Sequence, residues 1–458
     1  MLILASCSTS KKQTFDVVIT NAQLIDFSSG ELQTRSVYIN DGKIVKILDS
    51  LVDDYVAEKN IDATGKYLLP GFWDNHVHFR GGDSLIASNK ELLKLFIANG
   101  VTTVRDAGGD LTTSVMQWKE DIAANKLIGP TIYTSGPKID GPNATWAGSL
   151  EVENEEDIKT AIDSLQKIPV DFIKLYDSRI SKDAYLNAIK EAERRNMITS
   201  GHMPFTVELS DAIDAGIDGV EHLYYVMKGC SSEETAVTGQ LLKGEIGFWQ
   251  AMPILQNTYD DAVAKSTFNK LRSNNVVVIP TLHIGHTLSY LDEEDHTNDE
   301  YLKYMSPGIQ KTYEGRIKGA LSASPEASRN RKKLDSFFGN LAYNLSKNDV
   351  TILAGSDSGA FNSYTYPGIS IHKEMEALAN AGLSPLEVLL TSAYNGAVFL
   401  KKDGDQGAIK ENYIADLVLL NTNPLEDIKN TEDINTVIKN GNLYPRKELD
   451  SLLRSIKH

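Results

Sequence analysis

Cysteine is almost absent: the 458 residues contain two, Cys7 and Cys230. Two cysteines cannot make a disulfide framework, so a chain of this length depends on its hydrophobic core. Cys230, in Lys228-Gly229-Cys230-Ser231, has no metal-ligand spacing and reads as an ordinary thiol. Positive charge is also scarce, with 46 Lys and Arg against 62 Asp and Glu and a net charge of −16. That balance speaks against a nucleic-acid partner, which needs a basic stripe. It also mildly disfavours anionic substrates, except where a local site overrides the overall field. No apolar run approaches the roughly 18–20 residues of a membrane span.

What is present is ordinary globular composition, 41% hydrophobic and 24% charged, in a chain long enough for a large domain plus a smaller one. Leu4-Ala5-Ser6-Cys7 resembles a bacterial lipobox, with Ser8-Thr9-Ser10-Lys11-Lys12 as a polar tether. The apolar run before Cys7 is short for a signal peptide. Lipidated Cys7 as a membrane tether in the periplasm or cell envelope is therefore an expectation, with a cytoplasmic location as its alternative. The tether takes residues 1–13.

Residues 14–69 read as β structure, with Phe15–Thr20, Ser36–Asn40 and Lys43–Ile47 as strands and Asp41-Gly42 as a hairpin turn. From 70 to 400, short apolar runs alternate with amphipathic helical runs, the pattern of parallel βα units. The expected strands are the segment before His76, then Val101–Val104, Thr131–Ser135, Asp171–Leu175, Met197–Ser200, Gly219–Glu221, Val276–Pro280 and Asp349–Ala354. Ser181 caps one helix, and Gly100 and Gly216 end two others. The fold class is α/β, a (β/α)8 TIM barrel. An insertion over about 283–346 is expected as a partly helical lid or a solvated decoration. From 401 to 446 the chain turns β again, with strands at Gly407–Ile409, Ala415–Leu420 and Thr436–Asn440. This block pairs with the first to form one small β-sandwich domain from both termini, and 447–458 is left as a tail.

The chemistry starts at His76-Val77-His78, at the end of the apolar run Leu68–Phe72. On a strand, i and i+2 share a side, so both imidazoles can reach one metal ion. Active sites of such barrels lie at the C-terminal strand ends. At those ends stand Lys174, His202, His222 and Asp357. Imidazoles and a carboxylate suit zinc or a similar divalent ion. Each residue alone has a structural reading, such as a core histidine or an ion-paired lysine, but their convergence on one barrel mouth favours a shared metal site.

These motifs, with Val101–Gly109, Phe172–Tyr176, Leu353–Gly359 and Ala415–Leu419, resemble the amidohydrolase superfamily. The likeness is greatest to its imidazolonepropionase-like branch with metal-dependent Xaa-Pro dipeptidases, and it runs from Phe15 to Asn442. The resemblance implies two divalent metal ions, zinc by preference. His76, His78 and Asp357 would hold the more buried ion, and His202 and His222 the more exposed one. A CO2-derived carbamate on Lys174 would bridge them. True imidazolonepropionases lack that lysine, so Lys174 shifts the reading toward a binuclear, peptidase-like site.

The implied mechanism has a bridging water deprotonated between the metals, with Asp357 shuttling the proton to the leaving amine. Tyr225 is a candidate oxyanion donor, or else an aromatic packing residue. His283, His372 and Trp146 are candidate substrate contacts. Arg105 and Asp106 are expected to pair with neighbours. The loop Gly136–Pro142 and the long insertion depart from a minimal member of the family. The function expected is hydrolysis of a small-molecule amide, most simply a dipeptide or N-acyl amino acid. A cyclic amide, imidazolone or lactone is the second reading and a non-catalytic scaffold the third. A homo-oligomer is compatible with all three.

Overall fold

The computed structural model describes residues 12–27, 29–49 and 55–458; Cys7 and the expected tether around it lie outside them. Among the described residues no helix is long and apolar enough to cross a membrane.

The two ends of the chain meet. Gln13–Ile25, Leu32–Asn40, Lys43–Leu48, Tyr55–Asp62 and Tyr67–Pro70 share one eight-stranded sheet with Leu417–Leu420, Ile434–Lys439 and Asn442–Pro445. The seam is Tyr67–Pro70 running antiparallel to Leu417–Leu420. Hydrogen bonding joins these strands into one continuous sheet, with one apolar cluster that includes Val17, Ile39, Leu68 and Leu417 and another of Phe15, Val18 and Tyr38. Asp41-Gly42 has φ values of 50° and 73°, and Asn440-Gly441 has 50° and 75°. Positive φ at both central residues is what a tight two-residue hairpin requires.

One expectation fails here. Gly407–Ile409 is not a strand. Gly407 sits at φ 80° against the helix Tyr394–Phe399, so close that a Cβ would lie 2.6 Å from Ala397 Cβ. In the tail, Arg446–Ser455 is a helix that buries Leu449 and ties to helix Ile86–Ala98 through Lys94 and Ser455.

Between these terminal segments lie two arcs of parallel strands. One is ordered Ser358–Gly359, Phe72–His78, Val101–Asp106, Thr131–Thr134. The other is Leu150–Glu151, Ile139–Asp140, Ile173–Leu175, Thr199–Gly201, Gly219–Glu221, Val277–Ile279. Backbone bonds connect the arcs: Asp171 N–H to Thr134 O at 2.9 Å on one side, and Val278 N–H to Thr351 O and Leu353 N–H to Val278 O, both at 3.0 Å, on the other. The strand expected at Asp349–Ala354 is reduced to one bridge, Ile352 to Val278. Regular pairing resumes only at Ser358–Gly359, beside Val77 and His78. The interruption falls at Asp357, whose φ of 54° no strand tolerates.

The helices follow their local signals. Ser181 accepts from Ala184 N–H, and Gly100 and Gly216 carry φ of 76° and 102°. Their apolar faces bury Leu165, Ile189 and Leu341 against strand residues such as Ile173, Val220 and Val278. Each fully buried aliphatic side chain contributes about 1.5–3 kcal/mol. The insertion is mostly helical: Leu282–Tyr290, Pro307–Lys311, Glu314–Leu321 and Pro325–Lys347. It is docked onto the loop after Asp357, where Arg316 donates to Phe361 O and Asn362 Oδ1, both at 2.9 Å.

Candidate metal centre

The strand Phe72–His78 is buried at every residue. His76 and His78 project to one side, their Nε2 atoms 3.2 Å apart. Asp357 Oδ1 lies 3.1 Å from His78 Nε2 and 3.6 Å from His76 Nε2. His78 Nδ1–H donates to Gly108 O at 2.8 Å, which leaves the Nε2 lone pair facing inward. Below them, Asp74 accepts from Ser356 N–H (2.9 Å) and Ser356 Oγ–H (2.5 Å), binding the first strand to the segment that carries Asp357. Burial pushes the Asp74 carboxyl up to about 7. Gly355 allows this approach, since a Cβ there would stand 2.7 Å from His76 Cβ. Asn362 Nδ2 donates to Asp357 Oδ1 at 2.7 Å.

The second pair is held by side chains. His202 Nδ1–H donates to Asp177 Oδ1 at 3.0 Å, and His222 Nδ1 lies 2.7 Å from Thr281 Oγ1. Their Nε2 atoms are 3.0 Å apart, and His222 Nε2 is 4.0 Å from Asp357 Oδ2. His222, Thr281 and Asp357 all have left-handed backbones, with φ of 68°, 52° and 54°. Such conformations cost of order 1–3 kcal/mol each and cluster where function needs a side chain re-aimed.

The protonation states suit metal ligation. Burial pulls His222 down to about 3, and His76 and His78 well below their ordinary value. Burial also lowers His202, against the opposing charge of Asp177. For Asp357 burial acts upward, but the neighbouring His76, His78 and His222 outweigh it and hold the carboxyl well below its usual range. Burial, then the Arg105 charge, pull the Lys174 amine far down. Neutral imidazoles, an ionised carboxylate and an uncharged amine are the forms that bind or become metal ligands. One ligand atom each from His76, His222 and Asp357 lies within 4.8 Å of the others. The donor set therefore fits a divalent ion of zinc type.

Beneath the centre, Lys174 Nζ lies against the Glu221 carboxylate, with both side chains fully buried. Arg105 spans the floor, donating to Glu221 Oε1 (2.9 Å), Ser200 Oγ (3.0 Å) and Asn75 O (2.6 Å). Arg105 thus pairs with neighbours as expected, and Asp106 accepts from Thr134 Oγ1–H at 2.7 Å. Sequence reasoning missed Glu221, Asp177 and Asn362. Strand alternation aims Glu221 away from its neighbour His222. The left-handed turn at His222 breaks that alternation, so both serve the same centre.

The four substrate-facing candidates divide. Tyr225 is buried on the helix Tyr224–Gly229, and its hydroxyl donates to Asp177 Oδ2 at 2.8 Å. Its ring lies 6.1 Å from that of His202. His283 lies on helix Leu282–Tyr290 and lines a different cavity, of about 510 Å3, with His286, Asp335 and Lys373. His372 does not line the mouth. It is buried with Nδ1 at 2.9 Å from Thr431 Oγ1 and Nε2 at 2.8 Å from Asn99 O, because helix Ser370–Asn380 turns that face toward Ile428–Glu432. Trp146 is the one placed beside the centre. Its ring lies 6.4 Å from that of Tyr176, which in turn packs 4.3 Å from His202.

With this geometry in view, comparison with known proteins is decisive at the family level. The model of the Amidohydrolase family matches residues 67–444. The chain belongs to the amidohydrolase family. It is accordingly a hydrolase. Among curated relatives, ochratoxinase from Aspergillus niger is 22% identical over 97% of this chain and 88% of its own length. Adenine deaminase from Lactiplantibacillus plantarum is 35% identical, but the match spans only 20% of this chain and 16% of that protein. A solved bottromycin amidohydrolase superposes with a TM-score of 0.76 at 20% identity, covering 96% of this chain and 89% of its own. A Xaa-Pro dipeptidase with bound methionine gives 0.69 at 19%, covering 94% and 99%. At such identities these two amidohydrolase-like structures establish the shared fold.

Proposed function

We propose that the protein is a binuclear metallohydrolase that cleaves the C–N amide bond of a dipeptide, Xaa-Pro dipeptides included, or of an N-acyl amino acid. The observation that carries this reading is the convergence of four imidazoles on Asp357, with the Nε2 atoms of His76 and His78 3.2 Å apart and those of His202 and His222 3.0 Å apart, above the buried Lys174. In this reading the two strand arcs close as a (β/α)8 barrel, and the terminal sheet is its β-sandwich domain.

His76, His78 and Asp357 would hold the deeper ion, and His202 and His222 the shallower. Lys174 supplies the bridge. Its neutral amine attacks CO2, an N–C bond forms, one proton leaves, and the resulting carbamate is an anion with two oxygens. When bound, divalent ions such as zinc acidify a water and polarise the scissile carbonyl. The chain's own groups do the rest. Asp357 accepts the proton of the attacking water and returns it to the leaving amine. Asn362, donating to Asp357 Oδ1, fixes which oxygen is free to do so. Asp177 and Tyr225 hold the ring of His202.

The test is hydrolysis of a dipeptide and N-acyl amino acid panel by zinc-loaded protein in bicarbonate buffer, with His202→Ala as control. Cleavage that disappears in the control supports the reading. Two bound metals with no cleavage of any linear amide, but turnover of cyclic amides or lactones, would overturn the substrate class and leave the hydrolase.

A further inference from the structure

Two basic side chains are buried beside the centre with carboxylates near them, Asp357 and Asp110 among them, but none in hydrogen-bond contact. Lys138 is 2% exposed, and its Nζ has no hydrogen-bond partner. Arg80 is 4% exposed and donates through Nε to Ala360 O at 2.8 Å. Among the described residues neither forms an ion pair with a carboxylate. A buried ammonium without a partner is costly, and folded chains keep one only where something else meets it.

The two share a roof. The Arg80 guanidinium lies 4.2 Å from the Trp146 ring centre, and Lys138 Nζ lies 4.9 Å from the same ring and 5.3 Å from that of Tyr176. Tyr176 in turn packs on His202. A Cβ on Gly108, whose carbonyl holds His78, would touch Lys138 Cγ at 2.8 Å. Both cations act on Asp357 and on His78. The pocket therefore adjoins the group that returns a proton to the leaving amine.

We propose that Lys138 and Arg80, roofed by Trp146, bind the free carboxylate on the leaving-amine half of the substrate. The proposal rests on the amide-hydrolase reading and narrows it. A guanidinium fork and a point-charge ammonium together match a carboxylate. In a chain of net charge −16 they make a local cationic pocket that admits an anion the overall field repels. The enzyme then removes a single C-terminal amino acid and does not cut within longer peptides.

The test compares an N-acyl amino acid with its carboxamide, in wild type, Lys138→Met and Arg80→Lys, each checked for full metal content. The carboxylate preference in kcat/KM is expected to fall about 10–100-fold in Lys138→Met, mainly through KM, as for loss of a charged hydrogen bond. Thermal stability should hold or rise, because an apolar side chain replaces a buried unpaired charge. Should Lys138→Met lose its metals, Arg80→Lys, which keeps charge and loses the fork, is read in the same way. An unchanged preference, or a wild type with none, overturns the proposal while the amide-hydrolase reading stands. If wild type cleaves neither compound, that reading fails instead. Calorimetric binding of N-acetyl amino acid to the zinc-loaded protein then decides: affinity lost in the variant supports the pocket, and equal or absent affinity overturns it.

Discussion

The two halves of the metal centre are built differently. The deep half, His76, His78 and Asp357, rests largely on backbone, a fully buried strand and the Gly108 carbonyl, with the Asp74 and Asn362 side chains fastening the segment that carries Asp357. The shallow half, His202 and His222, keeps 17% and 13% of its side-chain surface and is held by side chains, Asp177 and Thr281, with Tyr225 behind. Backbone supports cannot be mutated away and move little. Side-chain supports are adjustable one residue at a time. The deep half should therefore behave as all or none, and the shallow half as graded.

The most severe break of that contrast is Asp357→Asn, which touches both halves. Turnover should fall about 10^2–10^4-fold, with metal lost from the deep half in elemental analysis. A variant with near-normal turnover would remove Asp357 from proton transfer. Next is the shared floor. Arg105→Met leaves the buried Glu221 without its guanidinium partner, and should cost about 3–5 kcal/mol in denaturant unfolding of the metal-free protein. A loss below 1 kcal/mol would mean the floor is not a charged network.

Asp177→Asn should weaken only the shallow ion, by about 10–100-fold, read as one of two metals released early to a chelator. Equal weakening of both ions would erase the distinction between the halves. The smallest effect is expected from Tyr225→Phe, about 1 kcal/mol of stability with nearly unchanged kcat. A kcat loss of about 10^2–10^3-fold would restore the oxyanion role that the Asp177 contact argues against.

Acid sharpens the same contrast. Protons compete with metal only for an imidazole below its own pKa, and all four lie below the ordinary 6.5. Metal retention should thus stay flat as pH falls through 6.5, and decline further down. Burial holds His76 and His78 well below 6.5, whereas Asp177 pulls His202 back up against burial. The shallow ion should leave first in dialysis against acid buffers. Simultaneous loss centred at 6.5 would contradict the buried, neutral state of the ligands.

Much of this was legible in the chain. The i, i+2 spacing of His76 and His78 places both on one side of a strand by geometry alone. The βα alternation announces parallel strands, and positive-φ dipeptides mark the hairpins. What stayed hidden depended on departures from regular structure. Glu221 and His222 serve one centre only because His222 is left-handed. The eighth strand was expected over Asp349–Ala354, yet only Ile352 keeps a bridge there. His372 sat near the right place in sequence, but its helix turned it onto Thr431 and Asn99. Lys138 and Arg80 carry no motif, and their meaning lies in the counter-ions they lack.

Local pattern, set by side-chain period and turn chemistry, determined the element types, the parallel architecture and the identity of the candidate metal-ligating residues. The tertiary structure alone decided which groups orient those ligands, which histidines are spectators, and where unmatched charge gathers. Those properties depend on burial and on distances between residues far apart in the chain, for which no sequence period exists.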